Sequence, residues 1–154
     1  MKHHFFLLLL LPFGLCFLGC GGGQSHVGGK VSFPDGEPLP IGRLCFVNEK
    51  ANFSCKIQKD GTFRIGSRND GDGIPPGVYK VYIEQAVVPP PDTVKLRDDG
   101  VLPPGIPLIA GKYFDSQSSG IVCDTNDGRT LNITVERATQ EEIDAIIARY
   151  EAGM

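Results

Sequence analysis

The sequence predicts an all-β chain, an antiparallel seven-stranded β-sandwich followed by a C-terminal amphipathic helix. Three observations carry this. Ile74 to Ile83 opens with a Pro-Pro-Gly turn and runs into alternation, with Val78 and Lys80 on one side and Tyr79, Val81 and Ile83 on the other. Branched and aromatic side chains at alternate positions suit a pleated, half-buried strand. Similar runs recur at intervals of about 8–12 residues, punctuated by Gly, Pro and Asp, as in sandwiches. Only the end changes period. Thr139-Gln140-Glu141-Glu142 has the form of a capping box, and Ile143, Ile146, Ile147 and Tyr150 follow at helical spacing.

The strands follow in order. Val27 to Phe33 alternates, and Pro34-Asp35-Gly36-Glu37 is composed as a tight turn. Arg43 to Asn48 is the second strand and Phe53 to Gln58 the third. Lys59-Asp60-Gly61 turns into a short fourth, Thr62 to Gly66. The Gly/Asp/Asn-rich stretch Ser67 to Gly73 is a loop before the central strand, which runs to Glu84. Gly120 to Cys123 and Thr130 to Glu136 are the last two. Between them and the central strand, Ala86 to Gly111 breaks the rhythm with six prolines. Proline supplies no ladder donor, so the reading here is a long loop with at most a short edge strand within Val101 to Leu108. Loops of that length are often functional or disordered. The apolar face of the helix is expected to pack on the sandwich.

The first 19 residues read as an export signal. Met1-Lys2-His3-His4 is a basic lead and Phe5 to Leu18 is almost wholly apolar, too short for a comfortable membrane span of about 20 residues. Phe17-Leu18-Gly19-Cys20 resembles the lipobox of bacterial lipoproteins, with Phe17 where Leu is usual. That resemblance implies a diacylglycerol on the Cys20 thiol and cleavage just before it. Residues 20–26 then form a Gly-rich tether, 27–137 the sandwich and 138–154 the helix. From Cys20 to Ser25 the tether reaches at most about 20 Å, so the folded part is expected near a membrane. Cleavage removes Lys2 and leaves one basic residue fewer than 15 against 18 acidic ones, a net of about −4. With no basic patch, nucleic acid is not an expected partner.

With Cys20 lipidated, Cys45, Cys55 and Cys123 remain in an oxidising compartment. Cys45 and Cys55 fall on neighbouring strands and are one plausible disulfide. Cys123 can replace either, and three buried free thiols is an equally good reading. No His lies beside any of them in sequence. Asp70 and Asp72 are weak calcium candidates, because carboxylates crowded on a loop can cage the ion. The spacing matches no EF-type loop, and ordinary turn chemistry accounts for it better. His26 alone makes no zinc cluster.

The pieces together resemble a known family. Val27-Gly28-Gly29-Lys30-Val31 with Asp35-Gly36-Glu37-Pro38-Leu39 resembles the opening "V-x-G-x-V, D-G-x-P-L" of carboxypeptidase-regulatory-like, transthyretin-like (prealbumin- or Ig-like) β-sandwich domains. Lys59-Asp60-Gly61-Thr62-Phe63 is similar to their "D-G-x-F" turn. Gly71-Asp72-Gly73-Ile74-Pro75-Pro76-Gly77-Val78-Tyr79-Lys80-Val81 resembles a segment seen in small lipoproteins of planctomycete-type bacteria. The resemblance spans nearly all of Val27 to Glu136 and implies a fold and a compartment. The related hydroxyisourate hydrolases use a His/Arg/His set and a C-terminal Tyr-Arg-Gly-Ser. This chain has His26 alone after the signal and ends Tyr150-Glu151-Ala152-Gly153-Met154, so no catalytic residue carries over.

The expected function is a non-catalytic, lipid-anchored envelope protein without a cofactor, on the outer membrane or a periplasmic face. Its expected partner surface is the Pro-rich loop, with Pro89, Pro90, Pro91, Lys95, Arg97, Pro103 and Pro104, contacting an envelope protein or a glycan. A preordered Pro-rich segment loses little entropy on binding. A calcium-stabilised adhesion-type module and, further off, a transthyretin-like hydrolase are the alternatives.

Overall fold

A computed structural model describes residues 24–153 except 127 and 129. The export signal and Cys20 lie outside the described residues. The strands are β1 (Val27–Ser32), β2 (Arg43–Val47), β3 (Asn52–Lys56), β4 (Thr62–Ile65), β5 (Val78–Glu84), β6 (Val87–Val88), β7 (Ile106–Pro107), β8 (Ile121–Asp124) and β9 (Thr130–Thr134), followed by α1 (Gln140–Glu151). Seven of them build two layers, a three-stranded sheet in the order β4-β1-β9 and a four-stranded sheet in the order β3-β2-β5-β8.

The core lies between the sheets. Along β5, Tyr79, Val81 and Ile83 are buried while Val78 and Lys80 are exposed, as the alternation requires. Phe46, Phe53 and Phe63 surround them. Phe46 and Phe53 meet the Tyr79 ring edge-on, with centroids 6.3 and 6.1 Å apart. The Tyr79 hydroxyl donates to the Pro75 carbonyl at 2.7 Å and fixes the Pro-Pro-Gly turn to the strand it begins.

One pairing departs from the antiparallel expectation. β1 and β9 run parallel, with Gly29 beside Leu131 and Val31 beside Ile133. The chain reaches β9 only after passing through the other sheet, so no crossover helix is needed. A Cβ on Gly29 would stand 1.9 Å from the Leu131 carbonyl oxygen, which is why a glycine occupies this position. Gly61 is another glycine the backbone demands. It turns from β3 to β4 at φ +79° and donates to Gln58, while Val31 donates to its carbonyl.

Strand direction fixes the two ends of the sandwich. One end carries the entry to β1, the 48–51 turn, the 66–77 loop and the β8–β9 turn. The other carries the 33–42 and 57–61 turns, everything between β5 and β8, and the exit from β9 into α1. The Pro-rich stretch is not structureless. β6 and β7 pair antiparallel, Val87 with Pro107 and Val88 with Ile106, and close it as a hairpin. Pro107 sits in that short edge strand, where its missing donor is harmless.

The Gly29→Ala variant should lose about 1–3 kcal/mol, because the Leu131 backbone must move to admit a methyl group. Chemical denaturation followed by circular dichroism measures the loss, with Gly77→Ala, where φ is not positive and the added Cβ meets nothing closer than 3.6 Å, as control for the substitution itself.

Candidate functional site: a hairpin and helix at one end of the sandwich

Helix α1 begins as its sequence requires. The Thr139 side chain accepts from the Glu142 N–H, and Glu142 accepts from the Thr139 N–H at 2.8 Å. The second Glu142 oxygen accepts from Gly111 N–H at 2.9 Å, so the cap also ties the helix to the 3₁₀ turn Gly111–Phe114. The Gly111 and Thr139 amides hold the Glu142 carboxyl below the ordinary range.

The helix does not lie flat on the sandwich. Ile143, Ile146 and Ile147 are only half-buried, and Tyr150 is the one fully buried helical residue. It is buried by the hairpin. The Tyr150 hydroxyl accepts from Arg97 N–H at 3.1 Å and has the Val101 and Lys95 carbonyls at 2.9 and 3.2 Å to receive its single proton. Arg97 closes the arrangement. Its guanidinium donates to the Tyr150 carbonyl at 2.8 Å, sits 5.6 Å from the ring centroid and pairs with Asp99. A cation there also complements the carbonyl end of the helix. The hairpin tip and the last helical turn thus form one clasped unit around a cleft of about 720 Å³.

Of the residues expected to contact a partner, Pro89, Pro91 and Lys95 are exposed, and Pro90, Pro103 and Pro104 are half-buried. Arg97 is turned inward as the clasp. Sequence reading missed the apolar side chains the hairpin leaves in solvent. Leu96, Val101 and Leu102 are 58%, 50% and 77% exposed, and Val87 and Val88 are 36% exposed. The signal was present, as five large aliphatics in a stretch that no strand pattern absorbs.

The thiols do not pair. Cys45 lies opposite Ser54 and Cys55 opposite Leu44, so the one-residue offset sends the two sulfurs to opposite faces of the sheet. Cys45, Cys55 and Cys123 are all buried and free. Burial pushes Cys45 up to about 11 and Cys55 up to about 12, and also raises Cys123. None is a thiolate at neutral pH, which removes them as nucleophiles.

Of the two calcium candidates, Asp72 is engaged by its own loop. Asp72 accepts from the backbone N–H groups of Ser67 at 2.7 Å, Arg68 at 3.2 Å and Asn69 at 3.1 Å. Those dipoles occupy the oxygens a cation would need. Asp72 closes the 66–73 loop by turn chemistry, and no group of three or more metal-ligating side chains occurs among the described residues. Desolvation opposes ionisation of Asp72, but the three amides outweigh it and hold the carboxyl below its ordinary value.

Compared with protein-family models, curated proteins and solved structures, the chain matches none. No described helix is long and apolar enough to cross a membrane.

Tyr150→Phe should weaken the clasp by about 1–2 kcal/mol, since it strands the Arg97 N–H and the Val101 carbonyl. Amide exchange should then quicken across residues 95–101 and stay unchanged in β2 and β5; unchanged rates at the hairpin would show that the hydroxyl does not hold it. Asp72→Asn tests the loop. Because the folded value of Asp72 is lowered, its contribution is present above the unfolded carboxyl value of about 3.9 and disappears as pH falls through the folded one. The variant should melt below the parent near pH 7, and the gap should narrow as pH falls below the unfolded carboxyl value.

Proposed function

We propose that the chain is a lipid-anchored, non-catalytic protein of the bacterial cell envelope that holds its hairpin–helix unit away from the membrane for a protein partner. The observation that carries this is the polarity of the sandwich. Ser25 exchanges backbone hydrogen bonds with Ile74 at 2.8 and 3.1 Å, Gln24 donates to Ser67, and the His26 ring meets the Gly71 carbonyl at 2.9 Å. The tether is therefore bound to the 66–77 loop at one end, while the hairpin and α1 stand at the other, a strand length of about 20 Å away. With Gln24 already bound, the four residues 20–23 can span at most about 14 Å between Cys20 and the folded part. A lipid on Cys20 would hold the near end against the bilayer and turn the hairpin outward.

The transthyretin-like reading belongs with this proposal. Two layers of three and four strands accord with the motif resemblance, and Gly29 and Gly61 now have steric reasons to be the glycines of the "V-x-G-x-V" and "D-G-x-F" motifs. The hydrolase alternative gains nothing from the geometry, since the described thiols are protonated and His26 is held at the tether.

The partner this surface suits is a protein offering apolar side chains, because Leu96, Val101 and Leu102 together expose more aliphatic surface than isolated surface residues need. Leu96→Asp with Leu102→Asp leaves the clasp residues untouched. Crosslinking in intact cells should recover a partner with the parent chain and lose it with the double variant, both at equal abundance. Equal recovery would rule out the hairpin as the contact. Membrane release of a Cys20→Ala chain tests the anchor separately.

A further inference from the structure

The outer face of the four-stranded sheet carries a second feature, on the opposite side from the core. Tyr82, Cys45 and Ser54 form one row across β5, β2 and β3, and Glu84, Arg43 and Lys56 form the next. The Tyr82 hydroxyl lies beside the Asn52 side chain and the Cys45 thiol. Asn52 is on β3, two strands from Tyr82, so the ring must lie flat across β2. Cys45 beneath it is only 2% exposed although it points away from the core. The Tyr82 side chain is half-buried.

Planar polar groups frame that ring. The Arg43 guanidinium donates to Ser54 Oγ at 3.2 Å, and Glu84, Gln85 and Asn52 complete the border. Gln85 takes a left-handed backbone conformation at φ +57°, which turns Ala86 into the core and leaves the Gln85 side chain exposed at the rim. The hollow has a volume of about 460 Å³, within the range of about 300–1,000 Å³ for small-molecule sites. Such sites are ordinarily lined by apolar groups, whereas this lining is almost wholly polar, with Tyr82 as its one aromatic residue. The ligand chemistry that matches is polyhydroxylated with one apolar face. A pyranose has both, as its axial C–H bonds stack on an aromatic ring and its hydroxyls both donate and accept. Arg43 stands opposite Glu84 on one side and Lys56 on the other, so the border holds charges of both signs.

We propose that this face is a saccharide-binding site, with Tyr82 as the stacking platform and Arg43, Asn52, Glu84 and Gln85 as hydroxyl partners. Saturation-transfer NMR on the full chain in detergent micelles tests it, using cellotriose, xylotriose and the N-acetylglucosamine trimer as probes. At least one trisaccharide should receive saturation. Tyr82→Phe should keep the effect within about threefold because the ring face remains, and Tyr82→Ala should reduce it at least about tenfold. Since Tyr82→Ala uncovers Cys45, Glu84→Gln with Arg43→Met provides a second variant that leaves the ring in place and should also weaken binding. No saturation of any probe by the parent chain, or equal saturation by Tyr82→Ala, overturns the proposal.

Discussion

The close approach of β1 to β9 at Gly29 is the constraint on which the arrangement of this protein depends. Because the two strands are parallel, the chain leaves β9 at the end opposite the one where it enters β1. An antiparallel pairing of the same strands would have brought the helix back beside the tether. A side chain at position 29 would collide with the Leu131 carbonyl, so the pairing is available only to a glycine. One missing Cβ thereby separates the end that carries residues 24–26 from the end that carries the hairpin and α1.

The far end is assembled from parts that none could hold alone. A two-stranded sheet such as β6–β7 is marginal by itself, and a 12-residue helix is marginal in water. Each is stabilised by the other. Glu142 ties the start of α1 to the 3₁₀ turn, Tyr150 ties its last turn to the hairpin tip, and Arg97 answers both the helix carbonyls and Asp99. The backbone polar groups of the hairpin are met by a tyrosine hydroxyl and a carboxylate where a strand would use a neighbour. The apolar side chains of the tip have no such use within the chain, and they are what it presents to solvent.

At both ends of the sandwich, carboxylates are occupied in shaping backbone. Asp72 closes its loop on three amides, Asp60 accepts from the Thr62 amide and hydroxyl, and Asp35 accepts from Glu37 and pairs with Arg137 at the far end of the molecule. An acidic residue whose oxygens already face N–H groups is a poor cation ligand. This is the physical difference between a turn-forming Asp and a metal-binding one, and it depends on which way the neighbouring amides point.

Local chemistry determined a good deal. Alternation in Val78 to Ile83 identified the central strand, Asp-Gly and Pro-Gly pairs marked the turns, and Thr139 with Glu142 marked the helix start, because each signal acts within a few residues of itself. The mutual pairing of strands does not act locally. Whether β1 and β9 run parallel, whether Cys45 and Cys55 share a face, and whether Arg97 reaches outward or into a helix terminus all turn on register and on contacts between segments 10 to more than 100 residues apart. A one-residue offset between β2 and β3 is invisible in either strand alone, yet it separates the two thiols, and it leaves Cys45 under the Tyr82 ring on a face whose polar frame only the folded sheet assembles.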